Sequence, residues 1–179
     1  MEVTPHKIID NFLSEEEHQD IYKRLMHLTL PVHEMAQTVP MYFSESAAYS
    51  DDVDGGGYWH NTLYINPAPL NEHFEPICYP LLKEVPVKAL FRARVNWYYR
   101  TPEIIEHAMH TDLDSPIDNL LYYVNTNDGY TKLQCGTKIE SIANRAVFFQ
   151  GHLPHCSSTT TDQLLRCNVN INFIRYEPQ

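Results

Sequence analysis

The sequence predicts a mostly β domain, a sandwich or barrel of short strands with helices packed on its outside. Three observations carry this. From residue 89 to the end the chain is a succession of short stretches alternating apolar and polar residues, the period of a strand with one buried face. Turn signals such as Asn127-Asp128-Gly129 separate those stretches, at spacings of roughly 8 to 12 residues. Helical periodicity is confined to the part before Pro86. At 179 residues the chain is long enough for one well-buried core and short for two, so residues 1–179 are read as one domain.

The elements follow in order. Lys7-Ile8-Ile9-Asp10-Asn11-Phe12-Leu13 reads as a short apolar strand ending in a turn. Ser14-Glu15-Glu16-Glu17 fits a capping box, with acids in the first turn that suit the helix dipole. Ile21, Tyr22, Leu25 and Leu28 recur at helical spacing, which predicts a helix over 14–28. Residues 44–57 are polar and end in Asp-Asp-Val-Asp-Gly-Gly-Gly, a surface loop or, alternatively, an active-site lid. A strand is predicted over 58–65 and a second helix over 70–83, through Phe74, Ile77, Leu81 and Leu82, closed by Pro86. Strands are then expected over 89–99, 118–125, 131–135, 138–141, 146–150 and 164–176. In the last, Leu165, Cys167, Val169, Ile171 and Phe173 share one face, and Arg166, Asn168, Asn170 and Asn172 the other. That polar face either meets water or lines the interior of a small barrel. Its scarcity of Lys and Glu favours the interior.

Composition excludes some classes. A formal net charge of -10 argues against generic binding to nucleic acid or anionic membrane, both of which favour a basic surface. No apolar stretch approaches the roughly 20 residues needed to cross a bilayer, and no signal peptide is visible after Met1. Cys78, Cys135, Cys156 and Cys167 form no CxxC pair, so free thiols in a reducing cytoplasm are expected and a zinc-thiolate site is not.

Chemistry concentrates at His110-Thr111-Asp112. Residues two apart on an extended chain project to one face, so an imidazole and a carboxylate can reach one metal ion. A third ligand is available downstream in Gly151-His152-Leu153-Pro154-His155, where His152 and His155 are rivals. Two imidazoles and one carboxylate leave three positions of an octahedral ion open, which suits non-haem Fe(II) activating O2. Asp114 is a reserve carboxylate, and His107 is read as a neighbour on the opposite strand face.

The chain resembles the 2-oxoglutarate and Fe(II)-dependent dioxygenases, their prolyl-hydroxylase-like branch in particular. The resemblance rests on Ile9-Asp10-Asn11-Phe12-Leu13-Ser14 before a helix, Asn96-Trp97-Tyr98-Tyr99 ahead of His110-Thr111-Asp112, and Asp128-Gly129-Tyr130. It rests further on Asn144-Arg145-Ala146-Val147-Phe148-Phe149, followed by His155 and, eleven residues later, Arg166. It implies a double-stranded β-helix (jelly roll), with His110, Asp112 and His155 on iron and Arg166 on the distal carboxylate of 2-oxoglutarate. His155 is preferred to His152 because it fits the arginine interval and follows Pro154. A planar, bidentate cation is also what a desolvated carboxylate calls for. Tyr98 and Asn96 share a strand face and are expected beside the cosubstrate, Tyr98 first. Asn168 stands where the family often has a small hydroxyl residue, which alters cosubstrate contacts.

The resemblance implies hydroxylation of an unactivated C–H bond, with 2-oxoglutarate and O2 consumed and succinate and CO2 released. The primary substrate is left open among a protein side chain such as prolyl, an amino acid and a small metabolite, with nucleic acid disfavoured. Its specificity elements are expected in residues 36–60 and the loop 113–118. A non-catalytic jelly-roll binding protein and a cupin-like metalloenzyme that does not use 2-oxoglutarate are the alternatives.

Overall fold

The computed structural model describes residues 6–26, 39–46, 57–113 and 117–176. Strand β1 (His6–Ile9) comes first. Asn11 then takes a left-handed conformation (φ 51°), which a short amide side chain tolerates, and turns the chain into helix α1 (Glu15–Met26). The capping box forms as expected. The Glu17 amide donates to Ser14 Oγ and the Ser14 amide to Glu17 Oε2, each at 3.4 Å. Residues 27 and 28 of the predicted helix lie outside the described residues, as do 47–56 of the glycine-rich loop.

The other elements are β2 (Tyr42–Ser44), β3 (Tyr58–Ile65), β4 (Ala68–Pro69), α2 (Phe74–Leu82), β5 (Val87–Tyr99), β6 (Asp118–Tyr123), β7 (Tyr130–Leu133), β8 (Lys138–Glu140), β9 (Arg145–Gln150), β10 (His155–Ser157) and β11 (Leu165–Arg175). Three short strands, β2, β4 and β10, were not expected from the sequence. Helix α2 begins at Phe74 rather than 70. Residues 68–69 pair with β3, and the Asn71 side chain accepts the His73 amide at 3.1 Å, spending the residues before Phe74 on a turn.

The strands form a large antiparallel sheet in the order β1-β9-β6-β11-β5-β3-β2, with β4 paired to β3, and a small sheet β10-β7-β8. Both helices pack on the outer face of the large sheet. Ile21 and Leu25 of α1 and Ile77 and Leu81 of α2 join Val95, Trp97, Cys167, Val169, Ile171 and Phe173 in one buried cluster. Trp97 fixes the packing further by donating its indole N–H to the Leu25 carbonyl at 3.0 Å. A second cluster, with Leu121, Tyr123, Leu133, Ile139, Val147 and Phe149, fills part of the space between the two sheets.

The polar face of β11 therefore turns inward. Arg166, Asn168, Asn170 and Asn172 are all buried, the interior alternative of the two that the sequence left open. The mostly β, jelly-roll architecture with outer helices is as expected. No helix among the described residues is long and apolar enough to cross a membrane. The four cysteines are free thiols, and Cys78, Cys156 and Cys167 are buried.

Candidate active site

The space between the sheets contains a cavity lined by side chains of β3, β5, β11, β10 and the segment 110–112, among them Tyr98, Asn96 and Asn168. His110, Asp112 and His155 converge on it, with one donor atom of each within 4.8 Å of the others. The convergence follows from backbone pairing. His110 and His155 exchange both N–H···O bonds, each 2.9 Å, so they stand directly opposite one another and their rings lie 4.7 Å apart. His110 is not on a regular strand. Residues 106–110 run alongside β10 through isolated bridges.

Those bridges correct the reading of His107. Glu106 pairs with Ser158 and His110 with His155, four residues on one side against three on the other. One extra residue reverses the alternation. His107 consequently packs 5.2 Å from the Tyr98 ring, with Nδ1 2.9 Å from Ser157 Oγ, rather than pointing to the opposite face. It is not among the three converging donors. His152 is exposed, whereas His155 is buried. Asp114 lies outside the described residues.

Local contacts prepare the three donors. Nδ1 of His110 sits 3.2 Å from the Ala108 carbonyl, and Nδ1 of His155 2.9 Å from the Leu153 carbonyl. A carbonyl only accepts, so both Nδ1 atoms carry a proton, and Nε2 is the nitrogen that each ring turns toward a ligand. Burial and the neighbouring His155 push the His110 imidazole below its ordinary range, which keeps it neutral. For Asp112, burial alone would raise the carboxyl. His155, Arg92 and the Asn170 amide outweigh it and hold it ionised, below the usual carboxylate value. Arg92 donates to Asp112 Oδ1 at 2.7 Å, Asn119 to Oδ2 at 2.5 Å and Asn170 to Oδ2 at 3.1 Å. Arg92 and Asn119 carry no motif signal. Only the inward parity of their strands could have pointed to them.

Arg166 is fully buried. Its Nε donates to Ser141 Oγ at 2.8 Å, one terminal nitrogen to Thr131 Oγ1 at 3.0 Å and the other to the Ser158 carbonyl at 3.3 Å. Its guanidinium lies 5.0 Å from the Tyr98 ring centre and 5.6 Å from that of Tyr123. All these partners are neutral, and no acid among the described residues pairs with it. A buried cation without a counter-charge is costly, so this arginine favours an anionic partner. Gly129 makes the position possible, because a Cβ there would lie 2.6 Å from Arg166 Cδ. Across the ladder Asn96 donates to Asn168 Oδ1 at 2.9 Å, a link between two residues expected at the cosubstrate. Burial pushes the Tyr98 phenol upward, so it is a hydrogen-bonding group and not a base.

No protein-family model and no curated protein sequence matches the chain. Solved structures do. A prolyl hydroxylase from Trichoplax adhaerens, in complex with a hypoxia inducible factor peptide fragment, superimposes with a TM-score of 0.65 at 15% identity, over 96% of this chain and 84% of that one. A prolyl-4-hydroxylase from Pseudomonas putida gives 0.57 at 12% identity, over 97% and 94%. The epimerase SnoN from nogalamycin biosynthesis, bound to Fe3+, alpha ketoglutarate and nogalamycin RO, gives 0.62 at 10% identity, over 97% and 82%. Along nearly its whole length, the chain has the double-stranded β-helix fold of the 2-oxoglutarate/Fe(II) oxygenases, prolyl hydroxylases among them.

Proposed function

We propose that this chain is an Fe(II)- and 2-oxoglutarate-dependent oxygenase that hydroxylates an unactivated C–H bond, with release of succinate and CO2. The observation that carries the reading is one cavity on which two imidazoles and a carboxylate converge, alongside a buried arginine that pairs with no acid among the described residues. His110 and His155 would hold the iron through Nε2 and Asp112 through a carboxylate oxygen. Two nitrogens and one oxygen suit ferrous iron better than calcium or magnesium, which take oxygen ligands. Arg166 would hold the distal carboxylate of 2-oxoglutarate, with Tyr98, Asn96 and Asn168 along its length.

When bound, iron and 2-oxoglutarate supply the oxidising power that turns O2 into a hydroxylating agent. The chain's own part is positioning and exclusion of water. Arg92 and Asn170 fix the carboxylate of Asp112, and the backbone ladder fixes the two imidazoles. Arg166 lies four residues from Asn170 on β11, about 14 Å of strand, so a small diacid fits between the cation and the three donors. The primary substrate in this reading is a protein side chain, an amino acid or a small metabolite. Anaerobic titration with Fe(II) and 2-oxoglutarate tests the proposal. A weak visible charge-transfer band is expected in the wild type and none in His110→Ala. A wild type without the band sinks the proposal.

A further inference from the structure

Arg166 is not alone among the cations near the site in pairing with no acid among the described residues. Arg92 is neutralised by Asp112. Arg94, two residues further along β5 and on the same face, lines the same cavity and forms no ion pair with any described residue. Its Nε donates to Thr62 Oγ1 at 3.3 Å and one terminal nitrogen to the Tyr58 hydroxyl at 3.1 Å. Both partners are neutral and both come from β3. The remaining terminal nitrogen has no hydrogen-bond partner among the described residues. Since Tyr58 accepts from Arg94, its own O–H proton is available to a second acceptor. In a chain of net charge -10, with acids abundant, a half-buried arginine held by hydroxyls and pointed at a cavity is a preorganised anion receptor.

Its place on the ladder separates it from Arg166. Arg166 stands opposite Tyr98, and Arg94 opposite Asn170, the residue whose amide holds Asp112. Arg94 is thus level with the three converging donors, on the β3 side. Tyr98 is four residues away, about 14 Å along the strand. A diacid anchored on Arg166 and directed at the donors leaves Arg94 unanswered.

We propose that Arg94, with the Tyr58 hydroxyl beside it, anchors an oxyanion of the primary substrate, which is accordingly a small molecule bearing a carboxylate or a phosphate rather than a prolyl side chain. This rests on the oxygenase reading, because it takes Arg166 as the cosubstrate's anchor. Calorimetric titrations with benzoate and, separately, with inorganic phosphate test it. They use the wild type, Arg94→Gln, Arg94→Lys and Arg166→Gln, each with and without saturating Zn(II) and 2-oxoglutarate.

With cosubstrate present, at least one probe binds the wild type. Arg94→Gln weakens that binding at least about ten-fold, Arg94→Lys less, because a point charge keeps attraction but loses the fork. Arg166→Gln leaves it within about two-fold. For 2-oxoglutarate the pattern inverts: Arg166→Gln costs at least about ten-fold and Arg94→Gln less than about two-fold, which also shows that Arg94→Gln is folded. Tighter benzoate identifies a carboxylic acid, and tighter phosphate a phosphate ester. A probe indifferent to Arg94→Gln, or one that merely displaces 2-oxoglutarate, overturns the proposal. If 2-oxoglutarate binding ignores Arg166→Gln, the oxygenase reading falls instead. The probe's response to Arg94→Gln in protein free of metal and 2-oxoglutarate then still decides whether Arg94 is an anion site.

Discussion

At the scale of single residues, the site depends on groups that have no chemistry of their own. Gly129 is the clearest. Its φ is unexceptional, so the requirement is space: a methyl group would meet Arg166 Cδ and the Thr159 carbonyl, each at 2.6 Å. Backbone cannot yield as a flexible tip can, so Gly129→Ala displaces Arg166. The expected result is a loss of 2-oxoglutarate affinity of at least about ten-fold, measured by calorimetry, because a bidentate carboxylate contact is lost. The triplet at 110–112 and its distance to His155 and Arg166 were legible because ligand types at those intervals are rare by chance. Gly129 registered as part of a turn signal and of the Asp128-Gly129-Tyr130 resemblance, but not for its packing, since sequence shows a glycine's freedom but not which atom presses on it. Arg92 and Arg94 fall inside the strand expected over 89–99, with nothing in the sequence to single them out. Which of them finds an acid depends on chain segments far away in sequence. The same is true of His107, whose inward position comes from a one-residue mismatch between two segments nearly 50 residues apart.

At the scale of elements, long periodic segments were legible, and of the strands with three residues or fewer only β8 was. Helix α1 and strands β5 and β11 repeat their period several times, so noise averages out. The three residues of β10 repeat it once, and they are His-Cys-Ser, chosen for the cavity rather than for a hydrophobic face. Helix α1 also carries a titratable contact with the sheet. His18 is buried, with Nδ1 2.7 Å from the Tyr122 hydroxyl, and burial holds its imidazole below the ordinary 6.5. The unfolded chain therefore takes up this proton more readily than the folded one. The stabilising contribution is full above pH 6.5 and is lost as pH falls toward the depressed folded value. Thermal midpoints measured from pH 7.5 down to 5 should fall in the wild type, and fall less steeply in His18→Gln. Equal slopes would show that His18 does not link the docking of α1 to protons.

At the scale of the whole molecule, the acids and bases are sorted by depth. The net charge is acidic, while the cavity between the sheets is lined by Arg92 and Arg94 with a single carboxylate, Asp112, and Arg166 is buried behind its Tyr98 and Thr131 walls. Net charge therefore bears on partners that need a basic surface and says nothing of a ligand held in the cavity. The architecture is shared with prolyl hydroxylases and an epimerase at 10 to 15% identity. What such distant chains hold in common is a ladder of backbone bonds and the parity it imposes, not a run of identical residues.

The exchanged backbone bonds between His110 and His155 have a consequence for how the protein is loaded. In many small metalloproteins the ligands are brought together by the ion, and the apoprotein is unfolded. Here amide-to-carbonyl pairing brings the imidazoles together, so the entropic cost of ordering them is met during folding. Amide hydrogen exchange at His110 and His155 should be slow in protein stripped with chelator, and should change by less than about ten-fold when Fe(II) is added anaerobically. Fast exchange that slows only on adding the ion would mean that the ion does the assembling. Slow exchange throughout would mean that the two imidazoles already stand in the arrangement that receives an ion before any ion arrives.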